Sequence, residues 1–345
     1  MKKRYGKKAF VAIVAVIVLV ISIGYGVFYH YYSMMNYQKE EDDSLLSSYE
    51  PETDGKLTDS DGAIIDNMEN MIENNKDHTQ TLTSNNVYNI LFIGTDSRGN
   101  ERGRSDAMIL VSINSKTKKI VLTSFLRDIY LYIPSVGNNR LNAAYAYGGA
   151  SLLMKTIKQN FGISIENYAQ TNFFSFIKII DALGGVTLNV SSAEIKQINN
   201  NLKEINRLQG FSQSKYALSQ SQAGSVKLNG SQALAYARIR YIGTDFGRTE
   251  RQRKVISALI TSFKSAGIKQ LSSLMTSVLP LVSTNLKQGD ILKLISNSGA
   301  YAKYSVTSQS IPSSGTYSFV TIKNMSVISV DFEKNKKILK DTIYG

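Results

Sequence analysis

The sequence predicts a mixed α/β domain carried behind an apolar N-terminal segment, and three observations predict it. Residues 87–125 hold three short runs rich in Ile, Val and Leu, separated by polar punctuation, the pattern of neighbouring core strands. After them, helical patterns stopped by glycine alternate with further strand-like runs, so helices and strands must share one core. Residues 9–28, AFVAIVAVIVLVISIGYGVF, carry no charge and follow the basic flank MKKRYGKK at 1–8.

That uncharged run is long enough to cross a bilayer as a helix. A basic N-terminal flank stays in the cytoplasm, so the remainder is expected outside the cell, on a single-pass cell-membrane protein. Tyr25, Phe28, Tyr29, Tyr31 and Tyr32 would form an aromatic belt at the outer interface. A cleaved signal peptide is the competing reading. The length of the apolar core and the lack of an A-x-A-like site favour an uncleaved anchor. Residues 29–86 then read as an extracytoplasmic stem. Its stretch QKEEDDSLLSSYEPETDGKLTDSDG is acidic and polar, which favours extended or disordered chain. Within it Ile64, Ile65, Met68, Met71 and Ile72 recur at helical spacing, so a short helix at 63–75 packs on the domain or mediates self-association.

From residue 87 to 345 no break in composition appears, so one domain is expected. Strands are predicted at 88–93, 107–113 and 120–125, the last two joined by the turn Asn-Ser-Lys-Thr-Lys at 114–118, with a short strand at 131–133. Gly148-Gly149 precedes a helical run at 151–161, stopped by Gly162. A second helix, 173–183, closes at Gly184-Gly185 and leads to a strand at 186–190. A polar helix follows at 191–208, then a Ser/Gln-rich loop at 210–224. Helices at 230–238 and 249–266 flank a basic cluster. Amphipathic helices at 268–281 and 287–295 and strands at 304–310 and 327–331 finish the chain.

Composition narrows the chemistry. There is no cysteine, so disulfides and thiolate metal sites are excluded. Two histidines, His30 and His78, stand in no motif and argue against a histidine-built metal site or a Ser-His-Asp triad. Carboxylates, arginines, lysines and hydroxyls are left. The formal charge of +13 points to an anionic partner, for which nucleic acid, a membrane surface and a phosphorylated substrate all qualify.

Two places concentrate candidate groups. Asp96 leaves the first predicted strand and Asp106 enters the second, with Arg98, Arg102 and Arg104 between them. Facing carboxylates among arginines suit a hard cation and an anionic ligand; the plainer reading is a polar hairpin loop. Far downstream, Arg238 and Arg240 alternate about Ile239, so in extended backbone both guanidiniums emerge on one face. Arg248 precedes Thr249, a candidate helix N-cap, and a helix N-terminus favours phosphate. Asp245 lies inside that turn. Arg251 and Arg253 read as a solvated helix face. Arg127 at a strand end and Arg140 in a loop complete an inventory of two carboxylates for a divalent metal and several planar forks for a pyrophosphate.

These residues stand in motifs. GTDSR…GRSDAMIL, TSFLRD, RLNAAYAYGG, LNGSQALAYARIRY and DFGRTERQR occur in the order found in the LytR-CpsA-Psr family, which the chain resembles from about residue 87 onward. The resemblance implies an α/β/α sandwich around a mixed sheet, with an apolar groove for a polyprenyl tail. It implies a transferase moving teichoic acid, capsule or a related glycopolymer from undecaprenyl pyrophosphate to peptidoglycan. By motif, Asp96 and Asp106 would bind Mg²⁺ (or Mn²⁺), and Arg127, Arg238, Arg240 and Arg248 would hold the pyrophosphate. Arg104 and Asp245 match motif positions, Arg140 stands where the family often has lysine, and Gln159 is carried over on approximate position as a further binder. Asp96 or Asp245 would take the proton. The apolar stretches 173–183 and 271–281 could line the groove or be ordinary core. A phosphatase or pyrophosphatase on the same lipid is the alternative. A regulator such as a transcriptional attenuator is another, but an exported domain argues against nucleic acid as partner.

Overall fold

The computed structural model describes residues 26–38, 46, 49, 53–54, 56–78, 80–96, 103–240, 242, 245–265 and 276–345. In chain order the strands are β1 (Asn36–Tyr37), β2 (Val87–Thr95), β3 (Ser105–Asn114), β4 (Lys119–Phe125), β5 (Tyr130–Ile133), β6 (Gly137–Arg140), β7 (Asn167–Asn172), β8 (Val186–Val190), β9 (Gly224–Leu228), β10 (Ser283–Thr284), β11 (Ser305–Ile311), β12 (Tyr317–Ile322) and β13 (Met325–Val330). The helices are α1 (Gly62–His78), α2 (Leu141–Phe161), α3 (Phe173–Ala182), α4 (Ser192–Leu208), α5 (Gly230–Ala237), α6 (Asp245–Ser265), α7 (Gln288–Tyr301) and α8 (Phe332–Leu339).

A seven-stranded mixed sheet runs β1-β10-β7-β2-β3-β4-β11. Side chains on a strand alternate between faces, and β3 shows the consequence. Met108 and Leu110 join Leu91, Ile93 and Val121 in a core shared with α2, β13 and α8. Ile109, Val111 and Ile113 join Ile120 and Leu122 on the other face, beneath Ile256 and Ile260 of α6 and Leu294 of α7. A strand buried on both faces has no polar positions to alternate with, which is why it reads as a nearly continuous apolar run. A third cluster, formed by α3, α4, α5 and the antiparallel pair β8–β9, meets Val255 and Leu259 of α6.

Several expectations change. The helix expected at 151–161 is present, but as the second half of α2, which begins ten residues earlier and kinks at Gly148-Gly149, where Gly149 takes φ +62°. Glycine tolerates this backbone, so the helix resumes after it. The last predicted strand becomes half of a hairpin with β12. Residue 87 is not where folded chain begins. The apolar stripe of α1 puts Met68 and Ile72, 2% and 1% exposed, into the main core. Asn75 Nδ2 of α1 also donates to the Asn160 carbonyl at 3.0 Å. The predicted anchor at 9–28 lies outside the described residues except for its last three, and most of the predicted helix at 268–281 lies outside them too. Among the described residues no helix is long and apolar enough to cross a membrane.

Candidate functional site

β2 and β3 pair antiparallel with Gly94 opposite Ala107 and Thr95 opposite Ser105. Asp106 is therefore the extra residue of a bulge, a device that re-aims one side chain out of the regular alternation. Its carboxylate accepts from Arg127 Nη1 at 2.9 Å. Burial by itself would raise the Asp106 carboxyl. Arg127, Arg248 and Arg240 outweigh that and hold it below the usual carboxylate range. Beyond the bulge the ladder makes one more step, with Asp96 N–H donating to the Arg104 carbonyl at 3.2 Å. Arg104 answers with its own N–H on Asp96 Oδ1 at 2.7 Å and Nη2 on Oδ2 at 3.4 Å. The two candidate carboxylates thus sit at neighbouring positions on one sheet rim, each beside an arginine. Arg98 and Arg102 lie outside the described residues.

Next to this rim an apolar cavity of about 120 Å³ opens between β2, β3, β7, α3, α5 and α6. Phe92, Ile109, Phe173, Phe176, Leu234 and Ile256 form its greasy part, and Asp106, Arg238, Arg240 and Arg248 line it as well. Of the two stretches considered for a groove, the first supplies Phe173 and Phe176. Residues 276–281 of the second do not line it, and 271–275 lie outside the described residues.

Arg238 and Arg240 reach this cavity together, though not along a strand. Arg238 is the C-cap of α5, with φ −96° and ψ 1°, and its guanidinium lies 4.9 Å from the Phe173 ring centroid. Glu204 Oε2 is 3.5 Å from its Nη2. Arg240 follows two residues later, outside the helix, and is exposed. Thr249 is not the cap of the next helix. α6 starts at Asp245, so buried Arg248 sits in its first turn, and Thr249 Oγ1 donates to the Phe246 carbonyl. The Asp245 side chain lies outside what the structure describes.

Other candidates are placed elsewhere. Arg140, 6% exposed, pairs with Asp54 and donates to the Ser326 carbonyl at 2.9 Å. Asp128 lies between it and the site, 3.7 Å from Arg140 Nε and 3.4 Å from Arg127 Nε. Arg140 ties the stem to the domain and does not line the cavity. Gln159 donates to the Lys76 carbonyl of α1, so it too belongs to the stem contact. The glutamine that does line the cavity is Gln252, whose Oε1 is buried with no protein hydrogen bond. It stood in the motif DFGRTERQR, and its i, i+4 spacing from Arg248 was the available signal.

The solvated-face reading of Arg251 and Arg253 is overturned, since they are 6% and 9% exposed. Arg251 Nε donates to Glu194 Oε1 at 2.9 Å and Nη2 to the Ile242 carbonyl at 3.0 Å. Arg253 Nη1 donates to Ser310 Oγ at 2.8 Å. α6 crosses the sheet with α5 and β8 packed beside it, so it has little solvent-facing surface for such positions.

Proteins of known sequence and structure are similar to this chain. The LytR_cpsA_psr family profile matches residues 58–343. A polyisoprenyl-teichoic acid–peptidoglycan teichoic acid transferase TagU of Oceanobacillus iheyensis is 32% identical over 269 residues, 74% of this chain and 78% of that protein. The regulatory protein MsrR of Staphylococcus aureus is also 32% identical, over 73% of each chain. Among solved structures, TagT of Bacillus subtilis matches with a TM-score of 0.59 at 27% identity, over 78% of this chain and 96% of that one. A structure of a family member, YwtF (TagT), with bound octaprenyl pyrophosphate lipid matches with a TM-score of 0.57 at 26% identity, over 78% and 95%. The motifs, the mixed sheet and the profile match agree: this chain belongs to the LytR-CpsA-Psr family.

Proposed function

We propose that this protein transfers a glycopolymer from a polyprenyl-pyrophosphate carrier to peptidoglycan, as a membrane-anchored enzyme whose folded domain lies outside the cell. The observation that carries the reading is the cavity, apolar within and rimmed by Arg238, Arg240, Arg248 and the Asp106–Arg127 pair. An apolar pocket with convergent guanidiniums fits a molecule that is hydrocarbon at one end and diphosphate at the other. Relatives named as teichoic acid transferases and a neighbour with bound octaprenyl pyrophosphate support the same ligand class.

In the proposed reaction an acceptor hydroxyl attacks the phosphorus that carries the glycan. The bond to the bridging oxygen breaks, polyprenyl phosphate leaves, and a glycan–acceptor phosphodiester forms. Arg238, Arg240 and Arg248 hold the diphosphate and stabilise the charge growing on the leaving phosphate. Arg127 keeps Asp106 oriented and ionised at the bulge. The hydroxyl proton passes to Asp96 or Asp245. The rim also fits a divalent cation: Asp96 and Asp106 supply two carboxylates. Among the described residues no group of three or more acidic, histidine or cysteine side chains gathers, so water and ligand phosphate would complete the shell. Mg²⁺ or Mn²⁺ held there would neutralise diphosphate charge.

The test gives purified full-length chain a polyprenyl-pyrophosphate-linked glycan with and without peptidoglycan. Polyprenyl phosphate released together with a phosphodiester-linked product, only when acceptor is present, is the expected result. Release at the same rate into water alone would identify a phosphatase instead. Activity that survives a chelator would remove the cation.

A further inference from the structure

Beside the cavity lies a surface that the proposed reaction does not use. Phe173, Leu234 and Arg238, which line the cavity, also line a pit bordered by Phe174 and Leu208. Phe174 and Leu208 are exposed, and so are Phe211 and Tyr216 on the loop after α4. That loop is held by Asn206, whose Nδ2 donates to the carbonyls of Gln213 and Lys215 at 3.2 and 2.6 Å. The Phe211 and Tyr216 rings meet edge to face at 6.2 Å, with Lys215 Nζ 3.2 Å from one centroid and 5.0 Å from the other. Exposed Lys178 is one turn from Phe174 on α3, and exposed Lys203 and Arg207 are one turn apart on α4. Aromatic rings interleaved with lysine and arginine have the chemistry of a bilayer interface, where rings enter the headgroup level and cations meet anionic lipid.

The chain's own course favours the same partner. The apolar run at 9–28 leads into a helical stretch at 26–33 and then into β1, which adds parallel to β10 at the edge of the large sheet. Asn36 Nδ2 fixes this with a bond to Ser283 Oγ at 2.9 Å. The turn Leu279–Leu281 touches both β1 and α3, the helix that carries Phe174. The strand to which the N-terminal apolar run leads and the helix that carries Phe174 therefore meet at one turn of the fold.

We infer that Phe174, Leu208 and the Phe211–Tyr216 loop form a seat for an anionic bilayer surface, holding the cavity against the membrane so that a lipid tail enters from the bilayer. This rests on the membrane-anchored reading above, yet its test needs no catalysis. The chain contains no tryptophan, so one introduced residue is the sole indole reporter. Phe211→Trp in full-length protein is reconstituted into vesicles of anionic phospholipid whose acyl chains carry bromine, a contact quencher. Phe319→Trp, on exposed β12, is the control. Loss of most of the Phe211→Trp emission, with Phe319→Trp unaffected, is expected. Equal emission at the two sites would overturn the inference, as would protein that fails to float with the vesicles. A blue shift without quenching would overturn it in favour of a protein partner. Quenching without any transfer activity would leave the seat standing and refute the proposed reaction.

Discussion

At the scale of single residues, the arginines divide by what they face. Arg238 and Arg240 face the cavity, while Arg251 closes a buried pair with Glu194, which itself belongs to the capping box of α4. Burial would raise the Glu194 carboxyl, but the bonds from Ser191 and Arg251 keep it lowered. Arg251→Ala should then cost about 2 kcal/mol of unfolding free energy in denaturant titration, because half-buried Glu194 keeps its Ser191 bonds but loses its charged partner. Arg240→Ala should leave stability nearly unchanged and weaken binding of a polyprenyl-pyrophosphate lipid roughly ten- to a hundredfold, measured by direct titration. Asp106 gives a pH signature. Its folded pKa lies below the unfolded value, so its contribution is complete above about pH 4 and fades as pH falls through the folded value. Asp106→Asn should cost about 2 kcal/mol near neutrality, with the gap from the parent closing in acid melts. Asp96 and Asp106 are each charge-compensated, by Arg104 and Arg127 respectively.

At the scale of elements, α1 decides where the enzyme can be cut. Acidic, polar composition made 29–86 read as stem, yet a helical stripe inside it buries Met68 and Ile72 against β5 and α2. Ile72→Ala should lose about 2–5 kcal/mol in chemical unfolding, the range for a large-to-small change in a packed core. A chain begun at residue 87 should expose that core and aggregate, whereas one begun near residue 56 should not. Gln159→Ala should lower stability through the α1–α2 contact without lowering transfer by cavity-bound groups. Composition reports an average over a segment, and the few apolar positions that matter here are diluted by their neighbours.

Taken as a whole, the topology proposed for the molecule rests on one flank. If residues 1–8 stay inside, protease added to wall-stripped intact cells should digest the domain, with band loss on immunoblot. Protection until lysis would place the domain in the cytoplasm and remove the proposed acceptor from its reach.

The sequence alone determined the runs that become β2, β3 and β4, the glycine-stopped helices, the export signal as an expectation and the motif residues. Each of these is written locally, in hydrophobic period, turn chemistry or spacing. What it could not determine was which arginines meet. Arg238, Arg240, Arg248, Arg251 and Arg253 fall within sixteen residues and share one composition. The path of α6 across the sheet decides which reach the cavity and which are buried against Glu194 and Ser310. Tertiary structure likewise decided that Gln252 and not Gln159 faces the cavity, and that a bulge turns Asp106 inward. Long-range packing sets these orientations, and no window of sequence contains both partners of a contact made across the core.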